Sequence, residues 1–168
     1  YLANSINLYI YFNMNRFSKL PELMVAPNGA RKTKKDHPNL PIMISEIVEE
    51  ADKCFRCGAN AIHAHVRDKN ESHTLDTGLY SELIKELKVK VPDLPVQITT
   101  EAVGKYSPNE QFEVVKKLLP ESASVAFIEM LPDIKDYKLA KKFYKFSIDN
   151  NIQVQHILYS FEDLRLFI

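Results

Sequence analysis

The sequence predicts an α/β fold with a parallel sheet, put together from about five β/α units. Strand-like and helix-like segments alternate strictly from residue 22 onward, which requires a parallel sheet with right-handed crossovers. The strand centres recur near Val25, Ile62, Ile98, Ala126 and Val154. That pitch fits two architectures, an open doubly wound sheet or five-eighths of a (β/α)8 barrel. Polar residues also gather where the strands end: Asn28 and Arg31; His63, His65, Arg67 and Asp68; Thr99, Thr100 and Glu101; and Glu129. In a barrel those ends form one rim.

In chain order, residues 1–20 are rich in Asn and aromatics and alternate partially over 6–11, so they read as a divergent leader, an added strand or an expression remnant. Residues 21–168 form the partial barrel domain. A short strand over 22–26 ends at Pro27-Asn28-Gly29, and the basic loop Arg31-Lys32-Thr33-Lys34-Lys35 follows, a candidate holder of an anionic substrate. The first helix is expected to start at Ser45 as N-cap, with Ile44, Ile47, Val48, Ala51 and Phe55 inward and Gly58 as its stop. Asp76 caps a second helix with Leu79, Tyr80, Leu83, Ile84 and Leu87 on its apolar face. Val96 to Thr100 reads as a strand, and Ser107-Pro108-Asn109-Glu110 as a capping box with Pro at the first helical position. That helix is expected to bury Phe112, Val115, Leu118 and Leu119. A strand over 124–128 ending in Glu129, a helix over 136–149 and a last strand over 152–158 complete the pattern. Pro-Asn-Gly-Ala-Arg after the first strand is not G-x-G-x-x-G, which disfavours a dinucleotide fold.

Composition narrows the function. Twenty-two Lys+Arg against 22 Asp+Glu give a formal net charge of zero, which argues against a dedicated nucleic-acid binder. No apolar run approaches the ~20 residues of a membrane span. Cys54 and Cys57 form a C-x-x-C near a helix C-terminus, where neither a redox site nor a zinc site is favoured, and read as reduced thiols of a cytoplasmic protein.

The chemistry concentrates in Ala59 to Asp68. On a strand, residues i and i+2 share a face, so His63 and His65 aim into one space. Two imidazoles converging at a strand's C-terminal end suit a divalent metal such as zinc, at about 2.0–2.1 Å per Zn–N bond. By the same alternation Arg67 shares the histidines' face and Asp68 does not, so Arg67 is a candidate contact for a substrate carboxylate. Glu101 and Glu129 are candidate sources of a further metal oxygen and, with Arg67, the candidate catalytic residues, and the one later-strand histidine, His156, falls in mid-strand.

Several stretches together resemble the β-keto acid cleavage enzymes, whose best-known member is the 3-keto-5-aminohexanoate cleavage enzyme. They are Ala26-Pro27-Asn28-Gly29-Ala30-Arg31-Lys32-Thr33, His37-Pro38-Asn39-Leu40-Pro41, Gly58-Ala59 leading to His63-Ala64-His65-Val66-Arg67-Asp68, and Gln97-Ile98-Thr99-Thr100-Glu101-Ala102-Val103-Gly104. Ile157-Leu158-Tyr159-Ser160 is similar to the family's shorter-sequence branch. The resemblance implies a (β/α)8 barrel, a homo-oligomer, zinc or another divalent metal held by His63 and His65, and condensation of a β-keto acid with acetyl-CoA to give acetoacetate and a new acyl-CoA. It makes Thr99 a match to a hydroxyl position that helps hold substrate, and Asn28, Arg31 and Thr100 are the other candidate substrate-binding residues. Arg31 stands where the best-known member carries a Glu, so the substrate's tail need not be an amine.

The resemblance also puts a further metal carboxylate and a catalytic Arg and Asp beyond the fifth strand. The chain is therefore expected to be part of a longer protein or a truncated relative that pairs with another chain, with little activity alone. Two other readings stand beside this one: a metal-dependent hydrolase of the amidohydrolase type, and a non-catalytic partial barrel acting through association.

Overall fold

Five parallel strands follow one another across a single sheet in chain order: β1 (Met24–Val25), β2 (Ala61–Ala64), β5 (Val96–Thr99), β6 (Ser122–Ala126) and β7 (Gln153–Ile157). This computed structural model describes residues 21–168, so the expectations for 1–20 lie outside the described residues. A doubly wound sheet reverses its strand order at a switch point. Here the order never reverses, as in consecutive strands of a barrel.

The helices support the same choice. α1 (Ile44–Arg56) packs on α2 (Thr77–Lys90), α2 on α3 (Pro108–Leu118), and α3 on α5 (Tyr137–Asp149), so all four line one face of the sheet. Strand side chains alternate accordingly. Ile62, Ala64, Val96, Ile98, Ala123 and Val125 enter the core beneath the helices, beside Tyr80, Leu83, Leu87 and Phe143. The residues between them face the other way and are largely polar: His63, Gln97, Thr99, Ser122, Ser124, Gln153 and Gln155. The ladder His63↔Gln97↔Ser122↔Gln153 puts four of these at one level. One hydrophobic layer thus carries a polar sheet face above it.

Local chemistry sets the boundaries. α1 is capped not by Ser45, as expected, but from Met43: the Glu46 carboxylate accepts from the backbone N–H of Ile42 and of Met43, at 2.9 and 3.0 Å. Its other end is a Schellman turn, with Ala59 N donating to Cys54 O at 3.0 Å and Gly58 N to Phe55 O at 2.9 Å. Gly58 makes it possible at φ +102°. Both cysteines flanking that turn are free thiols. Asp76 and Ser107 cap α2 and α3 as expected.

Four further departures from expectation stand out. Leu119 ends α3 in the left-handed conformation (φ 46°), which takes its side chain off the helix face and leaves it exposed. Val115 is buried as expected, and Gln111 and Val114 are buried beside it. β6 stops at Ala126, and residues 127–130 coil into one turn of helix, α4 (Phe127–Met130), so Glu129 sits on a helical turn rather than on the strand's end. A hairpin not foreseen, β3 (Val66–Arg67) paired antiparallel with β4 (His73–Thr74), continues directly from the histidine strand. After β7, a further helix α6 (Phe161–Phe167) forms, with Ser160 as its N-cap accepting from Asp163 N.

Candidate metal half-site at the end of β2

β2 and β5 lie in register at His63↔Gln97, and this pairing orients the first imidazole. His63 Nδ1 lies 2.8 Å from Gln97 Oε1, while Gln97 Nε2 donates to Ser122 Oγ at 3.0 Å. With the amide so placed, Nδ1 of His63 carries the proton and Nε2 presents a lone pair. That lone pair meets His65 Nε2 at 3.0 Å. The sequence expectation that the two rings converge is what the structure shows.

His65 is fixed through its backbone. Asn28, buried at the end of β1, donates from Nδ2 to His65 O at 2.8 Å and accepts from His65 N at 3.2 Å. Asn28, expected to bind substrate, thus holds the second histidine in place. Among the described residues the ring's Nδ1 has no hydrogen-bond partner, and Glu101 Oε2 lies 3.9 Å from it.

The sequence reading missed His73. It lies on β4 opposite Arg67, with its ring centroid 5.2 Å from that of His65, and donates from Nε2 to Glu101 O at 2.9 Å. Three buried or half-buried histidines therefore adjoin. Burial lowers the pKa of all three; that of His65 falls to about 2, with His63, His73 and Arg67 adding repulsion. They are neutral at neutral pH, the form that ligates metals.

The other predicted residues divide into those left available and those already engaged. Arg31 is exposed and reaches Glu101 Oε1 loosely, at 3.5 Å. Thr99 is buried and accepts from Glu101 N and from Ser124 Oγ, at 3.0 and 3.3 Å. Thr100 donates to Ser124 O at 3.0 Å. Arg67, expected to meet a substrate carboxylate, instead donates to three carbonyls: Glu71 O at 2.9 Å, Gly29 O at 2.6 Å and Lys32 O at 3.1 Å. It is 8% exposed and ties the loop after β1 to the hairpin turn. Asp68 caps that turn, accepting from Asn70 N and Ser72 N.

Glu129 accepts from Ala102 N at 2.9 Å, and burial raises its carboxyl pKa. His156 points to the helix side of β7, between Tyr144 and Phe167, away from the other histidines' face. A cleft of about 1030 Å³ between β1, the 34–41 loop and α1 contains none of the histidines of this cluster.

The donor chemistry suits a divalent metal in part. Two tetrahedral Zn–N bonds of about 2.05 Å put their nitrogens roughly 3.3 Å apart, close to the 3.0 Å found between the two Nε2 atoms. Among the described residues, no group of three or more His, Cys, Asp and Glu could hold a metal ion. Nor is any described helix long and apolar enough to cross a membrane.

A model of the β-keto acid cleavage enzyme family matches residues 22–167. The chain is 35% identical over 72 residues to the 3-keto-5-aminohexanoate cleavage enzyme of Fusobacterium nucleatum, covering 43% of this chain and 26% of that one. It is 33% identical over 97 residues to the same enzyme of Acetoanaerobium sticklandii, covering 58% and 35%. To the 3-oxoadipate:acetyl-CoA acetyltransferase of Cupriavidus necator it is 28% identical over 104 residues, covering 62% and 36%. The matched stretch thus spans about a third or less of those relatives.

Among solved structures, ObcA in complex with oxaloacetate superposes with a TM-score of 0.59 at 15% identity, over 71% of this chain and 31% of that one. A type I 3-dehydroquinate dehydratase from Clostridium difficile gives 0.54 at 14%, over 81% and 50%. At such identities the likeness concerns the fold alone, and ObcA's is a (β/α)8 barrel. With the family model matching nearly all of the described residues, the chain belongs to the β-keto acid cleavage enzyme family.

Proposed function

We propose that this chain carries the metal-binding and substrate-docking part of an acyl transfer between a β-keto acid and acetyl-CoA, giving acetoacetate and a new acyl-CoA. One observation carries the reading: the two Nε2 atoms of His63 and His65 meet at 3.0 Å, with Gln97 fixing the first ring so that its lone pair points at the second. Relatives whose names include acetyl-CoA transferases support the substrate class.

His63 and His65 hold a divalent metal, zinc by preference for a nitrogen donor set. When bound, it supplies Lewis-acid stabilisation of the negative charge that develops on the keto acid's oxygens. The protein's own groups bind and orient. Both contacts to Thr99 Oγ1 donate to it, which leaves the Thr99 hydroxyl proton to donate to a substrate oxygen. Arg31, exposed and held only at 3.5 Å by Glu101, swings to the substrate's carboxylate, a bidentate match for a guanidinium. Thr100 and Asn28 support the strand ends that carry these groups. Arg67 and Glu129 act at one remove, by fixing the 29–32 loop and the Ala102 backbone.

An amidohydrolase-type reading needs histidine from the later strands, and His156 faces the helices instead. Calorimetric titration of the zinc-loaded chain with acetoacetate tests the proposal. Binding should need both zinc and the two histidines and should weaken in Arg31→Ala. Equal binding with and without zinc would contradict it.

A further inference from the structure

We propose that Glu101 is a positioning residue for His65, accepting the proton that His65 must carry on Nδ1 whenever its Nε2 is given to a metal ion. The inference rests on the metal reading above and adds the group that makes His65 a ligand. Gln97 takes the Nδ1 proton of His63, so His63 meets its neighbour with a bare lone pair. At 3.0 Å that lone pair needs a proton or a cation between the rings. Without a cation, His65 satisfies it by donating from Nε2, and the Nδ1 of His65 is then a buried lone pair with no donor. With a cation, the His65 proton belongs on Nδ1 and requires an acceptor there.

Glu101 is placed for this. Its Oε2 approaches His65 on the Nδ1 side, at 3.9 Å, which is the far side of the ring from the meeting of the two Nε2 atoms. A carboxylate there orients the imidazole and is poorly placed to bind the same ion. Metal-bound histidines commonly donate their other N–H to such a group. The Glu101 backbone is held at both ends, its N–H by Thr99 Oγ1 at 3.0 Å and its carbonyl by His73 Nε2 at 2.9 Å. Its carboxylate, by contrast, is partly exposed and, among the described residues, hydrogen-bonds only Arg31, at 3.5 Å. Rotation of one side chain therefore closes the gap to a hydrogen bond of about 2.8 Å. The same rotation releases Arg31 to the substrate. His73, missed in the sequence, acts here as the brace that keeps Glu101 in reach.

Histidine ¹⁵N NMR on the whole chain, with and without zinc, reads the tautomers directly. His65 should carry its proton on Nε2 without metal and on Nδ1 with zinc. Competition against a chromophoric chelator gives the affinity: Glu101→Ala should lose about 10–100-fold in zinc affinity, and Glu101→Gln should recover part of it, since an amide oxygen still accepts. The melting temperature of the metal-free protein should stay the same in both variants, which separates orientation from folding. Three results overturn the assignment: wild-type affinity in Glu101→Ala, a Co(II) spectrum that changes on that substitution and so marks Glu101 as a ligand, or a His65 proton that stays on Nε2 with zinc bound. A wild type in which zinc moves neither histidine removes the metal reading and this assignment together, whereas tight zinc binding in Glu101→Ala removes the assignment alone.

Discussion

Asn28 and His65 are joined as if by a rung of the sheet: the Asn28 amide donates to the carbonyl of His65 and accepts from its N–H, at 2.8 and 3.2 Å. β1 itself is only two residues long, and the side chain adds a contact to the histidine strand three residues beyond the last backbone pair, Val25↔Ile62, in the same register. Asn28→Ala leaves two buried backbone groups unpaired, at about 1–3 kcal/mol for each. The substitution should lower the urea midpoint by an amount of that order and weaken zinc binding. Asn28→Asp keeps the acceptor and loses the donor, so it should fall between the two. Unchanged stability in Asn28→Ala would contradict the role.

Much of this was legible in the sequence, and the illegible part has a common cause. The period-2 placement of His63 and His65 needs only local geometry to be read, and so do the Ser107 and Asp76 caps. His73 was hidden because β3 and β4 are two residues each, too short to show alternation, and because its partners are Arg67 across the hairpin and Glu101 in the loop after β5. The backbone contacts of Asn28 and Arg67 were not foreseen for a related reason. Polar residues at strand ends look alike in sequence whether they serve a ligand or the neighbouring backbone. The start of α1 at Met43 was hidden because its cap comes from Glu46 alone, with no hydroxyl at the cap position. α6, by contrast, carried a readable signal in Ser160-x-x-Asp163, the pattern of a capping box.

The guanidinium of Arg67 joins three carbonyls in one planar fork. Lysine offers a single point of donation and cannot reproduce that geometry. Arg67→Lys should destabilise the fold by about 1–3 kcal/mol and speed hydrogen exchange in the loop 29–36 and the turn 68–72. Exchange rates equal to wild type in both segments would mean that the clamp is unimportant.

Acid should loosen the start of α1. The Glu46 pKa is lowered to about 2, first by its hydrogen bond with Lys34 and then by the backbone N–H of Ile42 and Met43. Because the folded pKa lies below the unfolded value, near 4.5, this contribution is complete above about pH 5 and is lost as pH falls towards 2. Glu46→Gln should therefore flatten the melting temperature over that window while differing most from wild type near neutrality. Parallel curves for the two proteins down to pH 2 would contradict this.

Turnover by the 168-residue chain alone should be slight. Catalytic zinc sites usually have three protein ligands, and the described residues offer two nitrogens and no larger donor group. With acetyl-CoA, a short β-keto acid and zinc, acetoacetate release should stay near background. Robust turnover would mean that a third donor reaches the two histidines by rearrangement, Glu101 or Glu129 being the carboxylates at hand.

The most direct measurement is zinc stoichiometry and affinity for the wild type beside the His63→Ala/His65→Ala double variant, by metal analysis and chelator competition on the same preparations. The account predicts one zinc ion bound per chain in the wild type and none retained by the double variant, with both proteins folded by circular dichroism. Equal zinc uptake by the two, or none by either, would contradict it.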